Sequence, residues 1–210
     1  MNYKKAREEL LETVVKANEV DLIRLSAGNI STRTDEGMVA ITPSDVSYRN
    51  MTIDDISIID LDGNLVEGLK PSSETPMHIA IYQNLPDVGA ICHTHSIFAI
   101  TFAMLDEAIP MVNIELMVCG APIPVAPWAS PATYKAGEVA VDIFKKRPEL
   151  KTILLRKHGL VAIGSDLNNA FNTAFNAEVG FQSYYQALQL GKPEPITDEE
   201  FAEIKAAYRS

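Results

Sequence analysis

The sequence predicts an α/β or α+β fold in which one sheet is covered by helices. Three observations carry this. Apolar residues recur at helical spacing in several segments. Short apolar runs bounded by turn formers lie between those segments. An Asp62-Gly63-Asn64 turn joins two such runs as a hairpin, so the order is not a strict βαβ alternation.

The elements follow in order. Residues 3–20 place Ala6, Leu10, Leu11, Val14 and Ala17 on one helical face. The next stretch, SAGNISTR, is rich in turn formers. Met38–Thr42 is an apolar strand stopped by Pro43. Ile56–Asp60 and Leu65–Glu67 are the arms of the hairpin. Thr75–Gln83 is a helix that Ser73 or Thr75 can cap. Val88–Cys92 is a short strand running into His93-Thr94-His95, and Ser96–Leu105 is helical. Residues 108–131 hold five of the twelve prolines and read as loops and short strands. Ala132–Lys146 is a helix, Thr152–Leu155 and Leu160–Ile163 are strands, and Asp166–Gln189 is a long helix. Asp198–Tyr208 is a last helix running from acidic to basic, as the macrodipole favours.

Composition narrows the function. With 210 residues, 47% hydrophobic and 22% charged, the chain is expected to be a single globular domain over 1–210. No run of about 18 apolar residues exists to span a membrane. The charged N-terminus lacks the apolar core of a secretory signal, so a cytoplasmic location is expected. A net charge of −10 argues against nucleic acid and anionic membranes as partners. Cys92 and Cys119 form no CxxC pair and read as buried small apolar residues.

Chemistry concentrates in the histidines. Residues two apart on a strand share a face, so His93 and His95 can grip one ion while Cys92 and Thr94 face away. His158 precedes Gly159, which permits a tight turn beside it. Three imidazoles with one open position are a common plan for catalytic zinc. His78, inside a helical pattern, reads as structural, hydrogen-bonded near the site. Glu74 is either a helix N-terminal acid or a general acid/base beside a metal. Gly28–Ser31, Thr42–Asp45 and Ser72-Ser73 are each an ordinary turn or cap alone; together they offer an anion nest without basic side chains. Glu178 reads as a solvated helical acid or a partner of a ligating histidine, and Trp128 as an interface or core anchor.

Taken together, GNIS, ITPSD, KPSSETPMHIAIY, PDVGAICHTHS and LLRKHGLVAIG resemble the class II aldolase/adducin-head family, from about Leu10 to the final helix. The resemblance implies three layers, with a central, mainly antiparallel sheet between helices, and a cyclic homotetramer with sites at subunit interfaces. It implies one Zn2+ per subunit on His93, His95 and His158, with Glu74 as catalytic acid/base. Asn29, Ser44, Asp45, Ser72 and Ser73 match positions that hold a sugar phosphate. The implied reaction is cleavage of a ketose 1-phosphate, L-fuculose 1-phosphate foremost, to dihydroxyacetone phosphate and an aldehyde. The metal would polarise the carbonyl and stabilise the developing negative charge.

Other branches of the family epimerise L-ribulose 5-phosphate, dehydrate methylthioribulose 1-phosphate or decarboxylate sugar-acid phosphates, and the adducin head is a non-catalytic assembly module. The module branch lacks the three histidines present here. Two departures stand out. Asp45 takes the place of the family's usual glycine. Ile114 stands where the fuculose-phosphate branch has a tyrosine acid, with Glu115 beside it as an alternative, and Tyr208 matches a C-terminal tyrosine of some aldolases.

Overall fold

The computed structural model describes residues 3–207, and among them the chain forms seven helices and eight strands. In chain order these are α1 (Lys4–Glu19), β1 (Asn29–Arg33), β2 (Val39–Ile41), β3 (Ser57–Ile59), β4 (Leu65–Glu67), α2 (Thr75–Asn84), β5 (Ala90–Thr94) and α3 (Ile97–Ala103). They continue as α4 (Ile114–Val118), β6 (Val125–Ala126), α5 (Tyr134–Lys146), β7 (Thr152–Leu155), β8 (Gly159–Gly164), α6 (Leu167–Leu190) and α7 (Asp198–Ala207).

The strands make one sheet in the order β4-β3-β2-β1-β5-β8-β7-β6. Every pairing is antiparallel except β6 with β7. Side chains alternate across the sheet, and the core splits accordingly into two layers. Ile30, Ala40, Ile58, Cys92, Leu160 and Ala162 pack with Leu10 and Val14 of α1, Phe102 of α3 and Phe181 of α6. Val39, Ile41, Ile59, Ile91, Ile153 and Val161 pack on the other side with Met77 and Ile81 of α2 and Ala140 and Phe144 of α5. The fold is therefore α/β in three layers, with helices on both faces of a mainly antiparallel sheet.

Four local expectations give way. Asn29–Arg33, in the stretch rich in turn formers, is the buried strand β1, hydrogen-bonded between β2 and β5 at the middle of the sheet. Its polar side chains escape the usual burial penalty because each finds a partner. Neither Ser73 nor Thr75 caps α2: the N-cap is Glu74, and the Ser72 hydroxyl accepts the Glu74 N–H at 3.2 Å. The proline-rich stretch contains the short helix α4, started by the Asn113 side chain accepting the Leu116 N–H. Trp128 is 62% exposed, so of its two readings, interface or core anchor, the core one gives way.

Candidate metal centre

The centre forms where β5 ends, β8 begins and α2 starts. On β5, His93 shares the face of Ile91, toward α2, and pairs in register with Asn29 of β1. His95 lies just past the end of β5, and its ring still turns back to the same point. His158 arrives from the β7–β8 turn, where its N–H donates to Leu155 O, and the neighbouring Lys157 N–H ties the turn to Ala103 O at the end of α3.

Two glycines permit this approach. Gly28 has φ 84, and a Cβ on it would lie 2.8 Å from His93 O. A Cβ on Gly159 would lie 2.3 Å from Thr94 O.

The three rings stand edge to face, with centroids 4.7–4.9 Å apart. His93 Nε2 is 3.0 Å from His95 Nε2 and 2.8 Å from Glu74 Oε2, and His158 Nε2 is 3.1 Å from Glu74 Oε1. One donor atom from each of the four residues lies within 4.8 Å of the others. Bonds of roughly 2.1 Å around a tetrahedral centre place donors roughly 3.4 Å apart, so the spacing suits one small divalent cation.

Protonation supports the fit. His93 Nδ1 lies 2.8 Å from the Leu160 carbonyl, which can only accept, so Nδ1 carries the proton. That leaves Nε2 as the ring atom turned toward Glu74 and His95, where a cation would sit. Burial pushes His95 down to about 4, with His93 and His158 adding to this against Glu74, so that ring is neutral and available as a ligand near pH 7. Burial alone would raise the Glu74 carboxyl. The charge of His93 and the hydrogen bonds from His158 and His93 outweigh it and hold Glu74 well below the usual carboxylate range.

A cavity of about 330 Å3 opens onto this cluster. Asn29, Ser44, Asp45, Ser72, Ser73, Glu74, His95 and His158 all line it. Two backbone bonds, Ser44 N–H to Lys70 O and Ser72 N–H to Thr42 O, hold the two serine-bearing loops together. None of the lining residues is Lys or Arg. Asp45 is exposed and adopts φ 61, a left-handed conformation that glycine favours.

Glu115 is half-buried in the first turn of α4 and does not line the cavity. Tyr208 lies outside the described residues.

The structure gives Glu178, Tyr48 and the residues behind Asn29 their partners. Glu178 is neither solvated nor a histidine partner. Its carboxylate accepts from Ser96 Oγ and from the N–H groups of Phe98 and Ala99, anchoring the start of α3 just after His95. Tyr48 donates to Gly28 O at 2.5 Å. Ser31, His78 and Tyr82 form a buried polar line behind Asn29. A polar stripe at four-residue spacing along α2 (Glu74, His78, Tyr82), opposite a polar stripe at two-residue spacing on β1 (Asn29, Ser31), is the sequence signal for it.

Residues 8–185 match the model of the class II aldolase and adducin N-terminal domain family. The chain is 33% identical over 210 residues to a 5-deoxy-D-ribulose 1-phosphate aldolase of Bacillus thuringiensis, covering 99% of this chain and 97% of that one. It is 32% identical over 212 residues to an L-fuculose phosphate aldolase of Escherichia coli, covering 100% and 97%. A solved L-fuculose 1-phosphate aldolase structure superimposes with a TM-score of 0.90 at 32% identity, over 100% of this chain and 99% of that one. Together with the cluster of three histidines and a glutamate, these matches establish that the chain belongs to the class II aldolase and adducin N-terminal domain family, among its lyases.

Proposed function

We propose that the protein, as a single class II aldolase domain over 1–210, cleaves a ketose 1-phosphate to dihydroxyacetone phosphate and an aldehyde. L-Fuculose 1-phosphate is the proposed substrate. The observation that carries this reading is the convergence of His93, His95, His158 and Glu74 within 4.8 Å, with three of the four lining the adjoining cavity. Imidazole donors carry no charge, so the held ion keeps its full positive charge. Zinc is the proposed ion.

When bound, the ion supplies Lewis-acid polarisation of the substrate carbonyl and stabilises negative charge as the carbon–carbon bond breaks. The chain's residues do the rest. His93, held by Leu160 O, keeps a fixed tautomer toward the ion. Glu74 moves the proton that the ketone fragment regains at carbon. Ser44, Ser72, Ser73 and Asn29 face the phosphate with hydroxyls and amides in place of cationic side chains. A second proton group accepts the hydroxyl proton as the aldehyde forms, and Glu115 and Tyr208 are proposed for that role. A cytoplasmic homotetramer with sites at its interfaces is the proposed assembly.

The test is a coupled assay for dihydroxyacetone phosphate, run with L-fuculose 1-phosphate, 5-deoxy-D-ribulose 1-phosphate and other ketose 1-phosphates. Release that EDTA abolishes and zinc restores is the expected result. No triose product from any ketose 1-phosphate would defeat the aldolase reading. Glu74→Gln is expected to keep the metal and lose turnover.

A further inference from the structure

Behind Glu74 runs a chain of four side chains, all buried. Asn29 Nδ2 donates to Glu74 Oε2 at 2.9 Å. Asn29 Oδ1 lies 2.6 Å from His78 Nε2. His78 Nδ1 lies 2.6 Å from Ser31 Oγ, and Ser31 Oγ lies 2.8 Å from Tyr82 Oη. His78 is fully buried, and its two ring nitrogens are engaged by Asn29 and Ser31.

Each proton in this line follows by elimination. An ionised Glu74 only accepts, so Asn29 turns its NH2 toward it and its carbonyl oxygen toward His78. That oxygen also only accepts, so His78 carries a proton on Nε2. Burial and the nearby His93 push His78 down to about 3 against the pull of Glu74, so the ring is neutral at pH 7 and Nδ1 is a bare acceptor. Ser31 donates to Nδ1, and Tyr82 donates to Ser31. Every donor in the line points toward Glu74.

We propose that His78 is a positioning residue for Glu74, acting by fixing which end of the Asn29 side-chain amide faces the carboxylate. An amide has two nearly isosteric ends, and nothing in the shape of Asn29 selects between them. With His78 in place, Oδ1 is engaged on the far side. The NH2 end then serves Glu74, and Asn29 itself lines the cavity. Without it the amide can turn over and set an acceptor against an acceptor, which displaces or neutralises the carboxylate that moves the proton. This inference rests on the proposed role of Glu74.

Two measurements test it. In metal-free protein labelled with 15N-histidine, at pH 7, the resonance that disappears in His78→Gln is expected to show the neutral Nε2–H tautomer. A proton on Nδ1, or a charged ring, would overturn the proposal whether or not the protein is an aldolase. In the second, turnover by two variants is compared. Glutamine offers an N–H toward Asn29 and an oxygen toward Ser31, so His78→Gln is expected to stay within about threefold of the parent kcat. His78→Leu offers neither and is expected to lose roughly 10- to 100-fold. Equal losses in the two, both folded and metal-loaded, would show a packing role only. Should His78→Leu not fold, the tautomer of the unmodified protein decides. Should the parent cleave no ketose 1-phosphate, the functional reading fails while the tautomer still tests the hydrogen-bond line.

Discussion

Gly159→Ala is a one-carbon change that should dismantle the metal centre. The new Cβ would lie 2.3 Å from Thr94 O, 3.3 Å from Thr94 C and 3.2 Å from His95 Cδ2. Ordinary contact begins near 3.4 Å, so the gap must open by about 1 Å. The nearest obstacle is backbone, which cannot rotate away as a side chain would. Gly159 follows His158, and Thr94 sits between His93 and His95, so the strain separates the third imidazole from the first two. Metal–ligand distances tolerate only about 0.2 Å. Metal affinity should therefore fall at least 10- to 100-fold, the range seen when supporting contacts around a metal are lost. Overpacking of this kind costs roughly 1–3 kcal/mol, or a Tm lower by about 5 °C in a chain of this size. Metal content after dialysis against a zinc buffer with a competing chelator, and scanning calorimetry, read the two effects. Gly191→Ala, where a Cβ meets nothing within 4 Å, is the control and should match the parent. A Gly159→Ala protein holding metal with parental affinity would refute the reasoning.

Three further outcomes are expected. Glu178→Ala strips three hydrogen bonds from the start of α3 and should lower stability by about 2 kcal/mol, seen as a Tm drop of roughly 6 °C; a drop under 2 °C counts against that anchoring role. Metal-free protein should lose stability as pH falls from about 6.5 to 4.5. His78 and His95 are held neutral in the fold, down to about 3 and about 4, while the unfolded chain takes up their protons first. The slope approaches ~1.4 kcal/mol per pH unit for each histidine. Urea midpoints across that window measure it, and a flat profile would contradict the two shifts. Below 4.5 Glu74, depressed in the fold, adds a loss of the same sign. Asp45→Gly removes a carboxylate from the cavity rim and frees the φ 61 position, so inorganic phosphate should bind about 10-fold tighter by calorimetry, equivalent to ~1.4 kcal/mol. Unchanged binding would place that carboxylate's influence away from the anion.

The periodic elements were legible from sequence alone. The stripe on α1, the hairpin of β3 and β4, the helices α5 and α6, and the pair β7 and β8 all follow from spacing and turn chemistry. β1 was not, because Asn29, Ser31, Thr32 and Arg33 look like loop residues until α2 and the 88–89 backbone are in place to satisfy them. The five-residue α4 was hidden among prolines. At the site, the shared face of His93 and His95 was readable from the strand period, although His95 lies beyond the strand end. His158 was a candidate third ligand from its place beside Gly159, but its arrival beside the other two depends on the register of β5 against β8, which the sequence does not give. His78 was legible as a structural histidine hydrogen-bonded near the site, whereas the partners of Glu178 were not. Those partners lie in a distant segment that no local pattern connects to it.

The three imidazoles sit on segments that meet only after non-local strands have paired, β1 with β5 and β5 with β8. A partly made chain leaving the ribosome carries His93 and His95 but no completed trap, so it has little means of drawing a cation from the cell's pool. Capture begins once the sheet has closed, and from then on occupancy acts as a latch. An ion present at a hundred times its dissociation constant adds roughly 2.7 kcal/mol against unfolding. Starvation for that ion would thus shorten the protein's lifetime as well as silence it.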